Sequence, residues 1–360
     1  MKFLDLFAGI GGFRFGMESA GHECIGFCEI DKFARASYKA IHNTKGEIEL
    51  HDITAVSDEF IRGIGRVDII CGGFPCQAFS IAGNRRGFED TRGTLFFEIA
   101  RFASILRPKY LFLENVKGLL NHENGITFET IISTLDELGY NVEWESINSK
   151  NFGVPQNRER VFIIGHLRGE RTRRIFPLGG ENQSTSSQSV VKIGNVNPSG
   201  NGMNGEVYQA DGLAPTLTTN KGEGQKIAIK SNTIKQFGIL QPNFNQCGVV
   251  YETDGIAPTI RAYQGGGLEP KIIQRGHGYN QGGVHEIAPT LTSNSYHENN
   301  HLSFGYRIRK LTPRECWRLQ GFPDWAFDKA QKVNSNSQLY KQAGNSVTVS
   351  VIAAIAKELK

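Results

Sequence analysis

Up to about residue 166, short apolar runs alternate with amphipathic stretches along the chain. Apolar runs at 3–7, 24–29, 67–71, 110–114, 142–147 and 161–166 predict strands. Apolar positions recurring at helical spacing predict helices at 13–20, 32–41, 94–106 and 128–138. Strands alternating with helices predict an α/β fold, a doubly wound and mostly parallel sheet. Glycines and reactive side chains gather at 7–12, 29, 72–76 and 114, where strands end and open α/β sheets bind ligands.

From about residue 168 this pattern breaks, and a phrase occurs three times. The copies are GEVYQADGLAPTLTTNKGEG (205–224), GVVYETDGIAPTIRAYQGGG (248–267) and GGVHEIAPTLTSNSYHENN (282–300), with Ala-Pro-Thr cores starting at 214, 257 and 288. Each reads as a hairpin, with a short strand, a polar turn and a proline opening a second strand. Regularity returns with predicted helices at 313–319 and 347–359, the last able to dock back onto the first lobe. The expected organisation is 1–168, 169–303 with the three repeats, and 304–360.

Composition narrows the reading. A chain of 360 residues suffices for one large lobe and a smaller one, since single cores stop growing near ~250 residues. The net charge of +4, from 40 basic and 36 acidic residues, includes no polybasic tail. Six cysteines outside any CxxC pair argue against a disulfide framework or a zinc site. Neither a signal peptide nor a membrane-length apolar run is visible, so the expected location is cytoplasmic.

Four motifs carry chemistry. Asp5-Leu-Phe-Ala-Gly-Ile-Gly-Gly-Phe13 follows a strand and opens a helix, and its glycines let the backbone turn tightly beneath a nucleoside. Arg14 stands where a dinucleotide fingerprint has its third glycine, which fits a cofactor lacking phosphates. Glu29, ending the second strand, is placed to accept two ribose hydroxyls. Asp52 reads equally as an acceptor for an adenine amine or as a helix N-cap. In Gly72-Gly-Phe-Pro-Cys-Gln-Ala-Phe-Ser80 the proline stiffens a strand-end loop and presents Cys76 as a nucleophile. Glu114 ends an apolar strand whose burial raises a carboxyl pKa, as a proton donor needs. Arg158 and Arg160 alternate along the next strand and so face the same side, able to hold a carbonyl oxygen and an anion.

In this order DLFAGIGG (5–12), Glu29, Asp52, GGFPCQ (72–77), ENV (114–116), QNRER (156–160), LTPRECWRLQGFP (311–323) and QAGNSV (342–347) resemble the motif set of bacterial and phage DNA cytosine-5 methyltransferases of the restriction-modification type. The resemblance covers residues 1–166 and 304–360. It implies a Rossmann-like, class I S-adenosylmethionine-dependent fold with a smaller, loop- and β-rich target-recognition domain. Phe7, Gly9, Ile10, Gly11, Glu29, Ile30, Asp52, Ile53, Pro75, Leu95, Asn345 and Val347 match the family's cofactor-contacting positions. Cys76 matches the nucleophile that adds to C6 of cytosine, Glu114 the acid at N3, Arg160 the group at O2 and Arg158 its support.

The resemblance further implies a flipped base, because C6 is inaccessible in a stacked duplex. Gln246 matches a residue that fills the vacated space, and the loop 77–92, with Ser80, Arg85, Arg86 and Arg92, is expected to press on phosphates. Asn157 departs from a position where a basic residue is common, and Ala82 from one where a small hydroxyl residue occurs. Thr216, Thr259 and Thr290, with Arg261 and Tyr263, are expected to read DNA, the three copies forming either one composite reader or several specificities. Expected partners are double-stranded DNA and a separately acting restriction endonuclease, with the enzyme a monomer. The rival readings are a tRNA cytosine-5 methyltransferase, a catalytically silent DNA-binding homologue and, last, an NAD-dependent dehydrogenase.

Overall fold

Consecutive residues of the central strands bury their side chains on opposite faces of one sheet. Leu4, Ile70, Leu111, Leu113, Val161 and Ile163 enter one core, while Phe3, Ile69, Tyr110, Phe112, Phe162 and Ile164 enter another. A strand whose every side chain is apolar must be covered on both sides. The computed structural model describes residues 1–75, 95–178, 190–195, 206–210, 212–217, 226–230, 235–239, 249–252, 272–274, 283–285, 300–301 and 306–360.

The strands β1 (Lys2–Leu6), β2 (Glu23–Cys28), β3 (Ile48–Leu50), β4 (Ile69–Gly73), β5 (Tyr110–Val116), β6 (Tyr140–Asn148) and β8 (Glu159–Leu167) form a seven-stranded sheet in the order β3-β2-β1-β4-β5-β8-β6; the two-residue β7 (Gln156–Asn157) lies outside it. The first five pair in parallel, whereas β8 runs antiparallel to both of its neighbours. The link from β6 to β8 holds one short 3-10 turn and no crossover helix, so β8 can only return antiparallel.

Helices α1 (Gly12–Ser19), α2 (Lys32–Ile41), α3 (Asp58–Gly63), α4 (Leu95–Leu106) and α5 (Ile126–Glu137) connect these strands. The chain then ends in α6 (Pro313–Leu319), α7 (Asp324–Ala330), α8 (Asn336–Asn345) and α9 (Val349–Ala356). Helix α6 begins with a capping box between Thr312 and Glu315, with Pro313 in its first turn. Helix α9 lies on α1 at Gly16, where an added Cβ would come within 2.5 Å of Ile352. The strands and helices predicted within 1–166 and 313–359 are present with ends shifted by a few residues, while β3, α3, α7 and α8 carry no sequence pattern strong enough to announce them; the second halves of the hairpins expected in the second and third repeats lie outside the described residues. No helix among the described residues is long and apolar enough to cross a membrane.

By internal contacts the chain divides into two units: Met1–Gln188 with Leu213–Gly222 and Thr312–Lys360, and Ser189–Gly212 with Glu223–Leu311. In the second unit β9 (Lys192–Asn195), β10 (Glu206–Gln209), β12 (Lys226–Lys230) and β18 (Tyr306–Lys310) make a four-stranded sheet. Beside it are a pair, β13 (Lys235–Ile239) with β14 (Val249–Glu252), and a three-stranded sheet of β15 (Ile272–Gln274), β16 (Gly283–His285) and β17 (Asn300–His301).

The first repeat is not the hairpin its sequence suggests. Its opening strand β10 pairs with β9 and β12, while its core, β11 (Ala214–Pro215), pairs with β7 in the first unit. Proline cannot donate to a ladder, and Leu213 and Leu217 bury themselves in that unit, each 6% exposed.

Asp5 on β1 is fully buried, taking a hydrogen bond from the Tyr38 hydroxyl. Burial pushes its carboxyl up to about 8 from the ordinary 3.8, with the Arg14 guanidinium pulling part of the way back. The fold therefore binds a proton that the unfolded chain releases near 3.8, and this contribution is lost as pH rises toward 8. Wild-type stability is expected to fall across that window, by at most about 1.4 kcal/mol per pH unit, and that of Asp5→Asn to stay flatter. Urea unfolding of both chains from mildly acid to mildly alkaline pH checks this, and parallel profiles would refute it.

Candidate active site

Because β1, β2, β4 and β5 run parallel, their C-terminal ends open on one side, and a cavity of about 720 Å³ lies there. Of the residues expected to hold a cofactor, Phe7, Gly9, Ile10, Glu29, Ile30, Asp52, Ile53, Pro75, Leu95 and Asn345 line it. Gly11 and Val347 do not line it. Gly11 caps α1 at φ 87°, and a Cβ there would stand 2.2 Å from His42 Nε2. Val347 is buried against Gly12. Arg14, at the missing third glycine, is buried and paired with Glu18 and Glu47.

Glu29 is held by two backbone donors, Gly9 N to Oε2 and Asp31 N to Oε1, both at 2.7 Å. A carboxylate has about four acceptor sites, so each oxygen keeps capacity toward the cavity. Burial raises the Glu29 pKa, and the two amides oppose the rise. Beside it Ile30 is 68% exposed, an apolar shelf. Asp52 serves as the N-cap of a 3-10 turn, accepting from the amide and hydroxyl of Thr54, while also lining the cavity.

At the other end Glu114 lies on β5, two residues before its last. Its register partner on β8 is Phe162, and Arg160 lies two residues along on the same face. Arg160 Nε stands 3.0 Å from Glu114 Oε1. Burial raises the Glu114 carboxyl, while Arg160 and then Arg158 pull it down. Arg158 is 2% exposed and donates to the carbonyls of Ser346 (2.8 Å), Gly344 (3.2 Å) and Leu217 (3.4 Å). Burial and the neighbouring Arg160 push it down to about 9. Glu114, Arg158 and Arg160 all line the same cavity as Glu29.

Thr216 also lines this cavity, with its hydroxyl donating to the Asn157 carbonyl at 2.7 Å. Cys76, Ser80, Arg85, Arg86, Arg92, Gln246, Thr259, Arg261, Tyr263 and Thr290 lie outside the described residues. Pro75, the residue before Cys76, lines the cavity.

Several site residues escaped the sequence reading. Asn115 Nδ2 donates to Phe74 O at 2.9 Å and so anchors the strand-end loop leading to position 76. Asp31 caps α2 and pairs with Lys341 at 2.7 Å, while Ser37 bonds Gln342, tying α8 across the cavity. An aspartate immediately before an amphipathic run is an N-cap signal and was legible. The Lys341 and Gln342 contacts, some 300 residues away in the chain, were not.

The glycines of GGFP make room rather than turns. A Cβ on Gly73 would lie 2.7 Å from Glu114 Oε2, and one on Gly72 would lie 2.0 Å from Leu6 O. Gly73→Ala is expected to cost about 1–3 kcal/mol by displacing a side chain, and Gly72→Ala more, because its obstacle is backbone. Denaturant unfolding ranks the two, and equal costs would contradict the distinction.

The whole chain, residues 1–360, matches the family model described as C-5 cytosine-specific DNA methylase. It is 38% identical to the type II methyltransferase M.HpaII of Haemophilus parainfluenzae, with 99% of this chain and 88% of that protein covered. It is 35% identical to the orphan methyltransferase M.SPRI of Bacillus phage SPR, covering 100% of this chain and 97% of that protein. Among solved structures it resembles the Spodoptera frugiperda DNMT2 mutant with a TM-score of 0.59 at 20% identity, over 99% of this chain and 98% of that one, which bears on the fold alone. The chain belongs to the C-5 cytosine-specific DNA methylases and is a DNA cytosine-5 methyltransferase.

Proposed function

We propose that the chain methylates carbon 5 of a cytosine turned out of specific duplex sequences, with S-adenosylmethionine as donor and Cys76 as the attacking sulfur. The observation that carries this reading is the sharing of one cavity by Glu29 at one end and the Glu114–Arg160 pair at the other. S-adenosylmethionine supplies an activated methyl group on a sulfonium. The residues present suit it: Glu29 has acceptor capacity for ribose hydroxyls, Ile30 offers an uncovered apolar surface and Gly9 leaves open space where a Cβ would stand.

Cytosine C5 is a poor nucleophile, and attack by the Cys76 thiolate at C6 corrects this by moving an electron pair toward C5. Glu114, its pKa raised by burial, gives its proton to N3 as the ring gains charge. Arg160 donates to O2 while keeping Glu114 in place. After methylation the C5 proton leaves to a base, the carbon–sulfur bond breaks and the thiolate is restored. Asn115, holding Phe74, sets the approach of the loop that carries the sulfur.

Ser80, Arg85, Arg86 and Arg92 serve the phosphates and Gln246 fills the space left by the base. The second and third repeats, through Thr259, Arg261, Tyr263 and Thr290, give more than one sequence specificity. The enzyme acts as a monomer and protects DNA against a separate endonuclease.

A duplex containing 5-fluorocytosine cannot lose its C5 substituent as a proton, so wild type is expected to form a stable adduct and Cys76→Ala none, as read by denaturing electrophoresis. An adduct with Cys76→Ala would end the proposal. Glu114→Gln is expected to lower kcat by about 10²–10⁴. Base-resolution mapping of 5-methylcytosine over a genome tests the repeats: Thr259→Val and Thr290→Val should each remove one methylated sequence and spare another.

A further inference from the structure

The first repeat holds a place that its sequence alone did not assign. Residues Leu213–Gly222 belong to the catalytic unit. Ala214 N donates to Pro155 O at 2.8 Å, and β11 runs parallel to β7 with Ala214 opposite Gln156 and Pro215 opposite Asn157. The Thr216 hydroxyl is spent on the Asn157 carbonyl, and Leu217 gives its carbonyl to Arg158 Nη1. The same guanidinium reaches the other wall through Nη2, to Gly344 and Ser346 on either side of Asn345.

Arg158 is thus a buried cation held by backbone carbonyls. Glu114 is partnered by Arg160, and among the described residues Arg158 makes no ion pair. Its Nε has no hydrogen-bond partner. Glu114 attracts this charge without pairing with it, so the hydrogen bonds of Arg158 are those to the three carbonyls, and losing any of them is costly in a buried site. One carbonyl comes from the first repeat, at Leu217, and two come from the C-terminal end of α8, at Gly344 and its cap Ser346; all three residues line the cavity.

We propose that Arg158 is a positioning residue that clamps the Leu213–Leu217 core of the first repeat to the Gly344–Ser346 link, so that this core serves every methylation event and reads no DNA sequence of its own. The inference rests on the base-pocket reading above and sets Thr216 apart from Thr259 and Thr290. It requires that damage to the core slow turnover without weakening DNA capture, and that damage to the clamp be felt at the cofactor.

Thr216→Val removes one hydroxyl from a side chain of the same shape. It is expected to lower kcat about tenfold, with the DNA KM within about twofold and the same factor on every duplex methylated; Thr216→Ser should restore the rate. Arg158→Lys keeps the charge but loses the fork, and should weaken S-adenosylmethionine binding about tenfold by calorimetry without DNA. Loss at one duplex sequence with others spared, or a raised DNA KM at unchanged kcat, would overturn the proposal, as would wild-type cofactor affinity in Arg158→Lys. If Arg158→Lys shows no cooperative melting transition, the kcat and KM of Thr216→Val decide alone. A wild type that methylates no duplex defeats the underlying reading instead.

Discussion

The ion pair between Glu114 and Arg160 exists because one strand runs backwards. Had β8 returned parallel to β5, a crossover of a dozen or more residues would have been needed. The short link from β6 instead brings Arg160 back beside the end of β5, diagonal to Glu114 and on its face. Among the apolar strands burial raises the Glu114 carboxyl, while Arg160 first and Arg158 second oppose the rise.

Sequence and structure agree where a residue's role follows from its own strand. The apolar run of Tyr110, Leu111, Phe112 and Leu113 announced a strand, its side chains enter the cores on both faces, and Glu114 near its C-terminal end lines the cavity. Agreement fails where a role depends on a distant partner. Helix α8 has a polar sequence with little periodicity, and is held by Lys341 to Asp31 and by Gln342 to Ser37 and Phe33. The first repeat misled for the same reason. Its strand, turn and proline pattern is that of a hairpin, and nothing local reveals that its core leaves the unit of its opening strand and pairs with β7, with Leu213 and Leu217 buried.

Glycine illustrates the same boundary from another side. Gly11 is legible as a turn, since it must adopt a left-handed backbone to open α1. Gly72 and Gly73 lie in a strand, where glycine is conformationally wasteful, and only their neighbours explain them: Leu6 O beside one and the Glu114 carboxylate beside the other. The phrase that leads to Cys76 is therefore also the phrase that lets Glu114 approach β4.

The charges of the cavity follow one plan. Glu29 lies at one end of the cavity, where two backbone donors oppose the rise that burial causes in its pKa. At Glu114 the protein supplies guanidiniums rather than amides. An amide dipole is fixed in strength, whereas a full positive charge stabilises a developing negative one strongly in a water-poor site. Arg160 pairs with Glu114 and Arg158 with the surrounding backbone, so that one cation opposes the rise in the carboxyl's pKa while the other ties Leu217 to Gly344 and Ser346.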